Sequence, residues 1–118
     1  MNGDITYRQG LRAKGFQITT IIGSSTTDLS LSGLAKSFEF FSVVNGDAAT
    51  ICTLTINNDV AIESVSADAL GSGTGITTGY PSGVPVPRRL TGQDTIQLRI
   101  TDTGVRTLNV VVWYRNSI

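Results

Sequence analysis

The chain has no histidine and a single cysteine in 118 residues. These absences remove the commonest general base, the His-dependent nucleophile triads and most transition-metal sites. One thiol cannot form an intrachain disulfide. Charge is scarce too: 15% of residues are charged, and nine Lys and Arg balance nine Asp and Glu. Neither a disordered polyelectrolyte nor a duplex binder driven by counterion release is expected, so no nucleic-acid partner is predicted. No apolar run approaches the roughly 18 to 20 residues that span a bilayer; the longest are Phe38 to Val44 and Leu108 to Tyr114. The opening MNGDITYRQGLRAKG is polar throughout and lacks the apolar stretch of an export signal, so a soluble protein without membrane or secretory targeting is expected. Helical periodicity is also missing, because no window keeps apolar residues at i, i+3, i+4 and i+7.

What is present is strand pattern. Runs rich in Thr, Val, Ile and Phe recur at short intervals between Gly, Asn, Asp and Ser clusters. An edge candidate at Ile5 to Arg8 is followed by FQITTII, with Phe16, Ile18, Thr20 and Ile22 on one face, and by TDLSLS (27–32), with Leu29 and Leu31 together. SFEFFSVV (37–44) alternates as Phe38, Phe40, Ser42 and Val44 against Glu39, Phe41 and Val43, apolar on both faces. Asn45-Gly46 predicts a two-residue type I′ hairpin into Ala49 to Ile56. Cys52 in that strand reads as a buried, inert thiol. Asn57-Asn58-Asp59 predicts a tight turn into Val60 to Val65. Strand signal then stops from Ser66 to Pro87, a stretch holding all three prolines, and resumes at Val86 to Leu90, Thr95 to Thr101 and Thr107 to Tyr114.

About eight short antiparallel strands with one long irregular loop predict an all-β fold, an antiparallel β-sandwich of jelly-roll type, because one sheet that long would leave an apolar face wet. An immunoglobulin-like sandwich lacks its Cys, Trp, Cys framework, and an up-and-down barrel is the remaining alternative. The expected organisation is an N-terminal arm at 1–14 and a sandwich domain at 15–118.

Gly71, Gly73, Gly75 and Gly79 lack the GK[ST] ending and strand-to-helix setting of a phosphate loop. Asp47, Asn57, Asn58 and Asp59 match no calcium loop, and no metal or cofactor is expected. No carboxylate pair stands out for glycoside hydrolysis, so no enzyme is predicted. Arg88 and Arg89 follow the stiff VPVP segment, and Arg8, Arg12 and Lys14 make a mildly basic arm; both are candidate partner contacts. Because two strands are apolar on both faces, self-association is expected, with Phe41, Trp113 and Tyr114 as interface candidates. Tyr80 in the long loop is the candidate platform for an alternative reading as a carbohydrate- or receptor-binding module.

The ending TGQDTIQLRITDTGVRTLNVVVWYRNSI, a polar entry, an alternating strand, a Gly-containing turn and a Val-rich strand with an aromatic pair, resembles the jelly-roll decoration, or cement, proteins of tailed bacteriophage heads. That resemblance implies a homotrimer, assembled in the host bacterial cytoplasm and located on the virion's capsid surface, where it binds and stabilises the major capsid protein. By position, Arg8, Arg12, Lys14, Arg88 and Arg89 would be the capsid-facing candidates.

Overall fold

The computed structural model describes residues 11–31, 33–70 and 84–116. Eight strands run in chain order: β1 (Leu11–Thr19), β2 (Gly23–Asp28), β3 (Ser37–Val44), β4 (Ile51–Ile56), β5 (Asp59–Ser66), β6 (Val84–Arg89), β7 (Ile96–Asp102) and β8 (Thr107–Arg115). One helical turn, α1 (Ala67–Leu70), follows β5. The strands form two four-stranded antiparallel sheets, sheet A in the order β1-β8-β3-β6 and sheet B in the order β2-β7-β4-β5. First strand pairs with last, second with seventh, third with sixth and fourth with fifth. This nesting is a long hairpin rolled onto itself, the jelly-roll sandwich expected from the strand pattern.

Period-two alternation fills the core. In β7, Ile96, Leu98 and Ile100 point inward and Arg99 and Thr101 outward; β4 sends Cys52, Leu54 and Ile56 to the same side, and β8 contributes Leu108, Val110 and Val112 from the opposite sheet. A fully buried Leu, Val or Phe side chain contributes about 1.5–3 kcal/mol.

β3 departs from simple alternation. Phe38 pairs with Tyr114 and Phe40 with the next residue back, Trp113, so Glu39 is an extra residue, a bulge. The bulge flips the phase: Phe38, Phe41 and Val43 face the core, whereas Phe40, Ser42 and Val44 face outward.

Other expectations also shift. β2 lies four residues before the expected TDLSLS strand: GSSTTD pairs with β7 at the sheet edge, and Leu29 and Leu31 pack inward just beyond it. An edge strand with both faces largely wet needs no apolar alternation, which is why the pattern missed it. β1 ends at Thr19, leaving Ile21 and Ile22 exposed at the corner rather than continuing the inward face. β1 also begins at Leu11, so Arg12 and Lys14 belong to a paired strand and not to an arm. The Asn45-Gly46 hairpin does not form, because β3 and β4 belong to different sheets. Asn45 is left-handed (φ 71°), but Gly46 serves close packing: a Cβ there would overlap the Cβ of Ala67 in α1. The two-residue turn with both residues at positive φ is instead Asn57-Asn58 (53° and 66°), closing β4 onto β5. The expected strand at Ile5 to Arg8 and the glycine run at 71–79 lie outside the described residues.

The sheet edges are each irregular or charged. β6 carries Pro85 and Pro87, residues tolerated in a strand only where no partner asks for their N–H. β5 has two register shifts against β4 and a left-handed Ser64 (φ 50°). β1 places Arg12 and Lys14 in the inward-pointing phase of its edge, and Lys14 Nζ reaches across to donate to the Ser30 carbonyl (2.7 Å) while lying over the Phe16 ring.

Candidate functional site

Enzyme-like features are sparse among the described residues. No group of three Cys, Asp or Glu converges for a metal ion. A dent lined by Leu31, Ala35, Leu90, Gly92, Asp94 and Ile96 has a volume of about 20 Å³, room for one water. No helix there is long and apolar enough to cross a membrane.

Two carboxylates are instead spent on holding loops. Asp102 continues the inward phase of β7 and is 3% exposed. Burial pushes its pKa upward, but Thr50 Oγ1 (2.9 Å), the N–H groups of Thr103 (2.7 Å) and Gly104 (3.3 Å) and Arg106 Nε (3.1 Å) all donate to it, and together they hold it below the ordinary aspartate value. Arg106 also reaches Asp47 (3.0 Å), so one guanidinium ties the β3–β4 connection to the β7–β8 corner. At the opposite end, Asp94 organises the LTGQDT segment. Its partial burial is outweighed by bonds from Asn57 Nδ2 (2.8 Å), the N–H groups of Gly92 (2.9 Å) and Thr91 (2.8 Å) and the Thr91 hydroxyl, again lowering the pKa. The polar entry before β7 is therefore a loop clasp joined to the β4–β5 turn. Cys52 is buried, and burial followed by the charge of Asp102 pushes its pKa up to about 11.

The candidate contact residues separate into engaged and available groups. Arg88 reaches over the gap between the sheets to Asp59 on β5, and Lys14 bridges the other side as described; both latch the sandwich. Arg12 and Arg89 are exposed and pair with no carboxylate among the described residues. Of the interface candidates, Phe41 is corrected outright: at 0% exposure, turned inward by the bulge at Glu39, it is core. Tyr114 lies on the inward phase of β8, half-buried against the core. Trp113 stands on the outer face of sheet A, 9% exposed. Arg8 and Tyr80 lie outside the described residues.

The two outer faces differ. On sheet A the outward positions hold Ala13, Gly15, Phe40, Val44, Val111 and Trp113, with the buried Ser42 among them and Gln17, Thr19, Thr107 and Asn109 toward one end. On sheet B they hold Thr26, Ile51, Thr53, Thr55, Val60, Gln97, Arg99 and Thr101. The two ends differ as well. The end with the β2–β3, β4–β5 and β6–β7 connections carries Arg12, Lys14, Lys36, Arg88, Arg89 and Arg115 against Asp28, Glu39, Asp59 and Asp94; the other carries Arg106 against Asp47, Asp68 and Asp102. Sequence reasoning found the doubly apolar strands but missed both loop clasps and the polarity of the ends. Asp102 was legible in principle, since Ile96, Leu98 and Ile100 set a phase that lands on it.

No family model, curated protein or solved structure matches the chain.

Proposed function

We propose that this jelly roll is a non-catalytic structural protein of a virion, a decoration or cement protein that associates as a homotrimer and seats on the major capsid protein of a phage head. The observation that carries this reading is the apolar outer face of sheet A. A sandwich needs apolar residues only between its sheets, and the outer face of sheet B is mostly polar, with threonines, Gln97 and Arg99 around Ile51 and Val60. Sheet A adds Phe40, Val44, Val111 and Trp113 on the far side; Trp113 and Ser42 are already buried within one chain, and the part left to pack against another copy is the exposed Ala13 and Gly15 flank with the half-buried Phe40, Val44 and Val111. Arg12 and Arg89, exposed at one end, are suited to carboxylates on a partner. Each contact is weak, but joining three copies and repeating them over a shell multiplies the affinity without any new chemistry.

Gly15 supplies a clean probe. Its backbone is not left-handed and a Cβ would meet nothing within 4 Å, so Gly15→Arg puts a charge on the outer face of sheet A without disturbing the fold. Light scattering on a sizing column should give a mass near three times 12.5 kDa for the natural chain and a smaller one for the variant. The natural chain should bind undecorated heads saturably, and the variant should bind more weakly. A monomer at every concentration that also ignores the heads would overturn the reading.

A further inference from the structure

Three large apolar side chains face solvent at the end where β1 turns into β2 and β7 into β8: Ile21 is 51% exposed, Ile22 74% and Val105 68%. Three hydrogen bonds through Thr20 tie the two corners together. The Thr20 N–H donates to the Arg106 carbonyl (2.8 Å), the Arg106 N–H donates to Thr20 Oγ1 (2.8 Å), and Thr20 Oγ1 donates to the Gly104 carbonyl (3.0 Å). Thr20 is itself 1% exposed. Isolated exposed apolar residues are ordinary, but three on two interlocked corners make a preformed patch whose side chains lose little freedom on docking. Its surroundings are acidic: Asp47 and Asp68 are exposed there, and Arg106 is already held by Asp47 and Asp102. That charge disfavours an anionic lipid surface as the partner.

The complement lies at the other end of the same molecule. There Leu34 is 66% and Val60 49% exposed, on the end that carries Arg12, Lys36 and Arg89 on its surface. Among the described residues the basic end holds six cations against four carboxylates and the acidic end one against three. Two acidic ends brought together repel, whereas an acidic end on a basic end gains both apolar burial and opposite charge.

We propose that the Ile21, Ile22 and Val105 corner docks on the basic end of a second copy, head to tail. The contact is heterologous: each chain offers one of each surface, so it repeats until the linked units close into a ring, and otherwise extends. It uses the ends of the sandwich and not the outer face of sheet A, so it goes beyond the trimer proposed above and links such units to one another.

Sedimentation velocity over a concentration series tests it. The natural chain should grow in size with concentration and revert in high salt. Ile22→Asp should abolish growth, as should the double variant Lys36→Glu with Arg89→Glu, all three positions being exposed and each variant keeping its near-UV circular dichroism. Mixing the two variants is the decisive step. One retains a working basic end and the other a working corner, so the two together should associate although neither grows alone. Growth of either variant alone, failure of the mixture to associate, or a natural chain whose size ignores concentration overturns the proposal. The unit mass at the lowest concentration responds to Gly15→Arg and not to these substitutions, so failure of the trimer reading is read separately.

Discussion

Replacing Asp102 by Asn keeps the shape of a buried side chain and removes its charge. The Thr103 and Gly104 N–H groups both donate to Oδ1, and an amide oxygen can accept them in its place. The loss falls on Oδ2, which receives the Thr50 hydroxyl and Arg106 Nε. An amide nitrogen there turns donor against donor at Arg106, while Thr50 can reverse and accept. One charge-assisted bond is worth about 1.5–3 kcal/mol, and a buried donor left facing a donor adds to it. Arg106 keeps Asp47 and is 30% exposed, so water relieves part of that cost. We therefore expect a destabilisation of about 2–3 kcal/mol at neutral pH, or roughly 8–12 °C in Tm for a domain of this size.

The pH dependence makes the test specific. Because the folded-state pKa of Asp102 is depressed below 3.8, its contribution is fully present above the unfolded-state value and is lost as pH falls through the folded-state value. Urea unfolding of both proteins at pH 7 and at successively lower pH should show a gap that narrows below the ordinary aspartate range. Asp94 titrates alike in both and cancels from the difference. A gap under about 0.5 kcal/mol at pH 7 would refute the network's role, being the size of a typical surface substitution. A gap unchanged in acid would refute the charge argument.

Phe41→Ala should cost about 3–5 kcal/mol in the same assay, as expected for a fully buried ring, and an outward-facing residue would instead show almost none. Cys52, with its thiol pushed up to about 11, should resist a thiol-specific reagent at pH 8 in the native protein and react once the chain is unfolded; rapid native labelling would contradict its burial. Gly92→Ala should destabilise by about 1–3 kcal/mol, the range for a strained left-handed residue, because φ there is 98° and a Cβ would come within 2.6 Å of the Gly33 carbonyl oxygen; thermal denaturation indistinguishable from the natural chain would count against that close approach.

Where the chain obeys period two, the sequence was readable: IQLRIT and TLNVVVWY gave the correct faces because every second residue is apolar. It misled where one residue broke the count. Glu39 is chemically ordinary for a strand, and only the pairing of Phe38 and Phe40 with adjacent residues of β8 reveals the bulge that sends Phe41 inside. Asn-Gly and Asn-Asn both tolerate positive φ, so local chemistry could not say which one turns a hairpin and which leaves its sheet; the placing of β3 and β4 in different sheets decided that. β2 was unreadable because Ser and Thr at an exposed edge need no apolar face. The corner patch escaped for the opposite reason, since FQITTII reads as one uninterrupted strand although β1 ends at Thr19 and its last two isoleucines form the corner.

The guarded edges have a consequence for how copies can meet. Prolines on β6, paired register shifts on β5, inward cations on β1 and a six-residue polar β2 deny an incoming strand a clean ladder of amide and carbonyl groups. Contacts between molecules must then be made by side chains, which detach one at a time and leave each sandwich intact. Concentrated protein should accordingly come apart on dilution and stay free of the cross-β order that binds dyes such as thioflavin, a safeguard for any molecule crowded by its own kind.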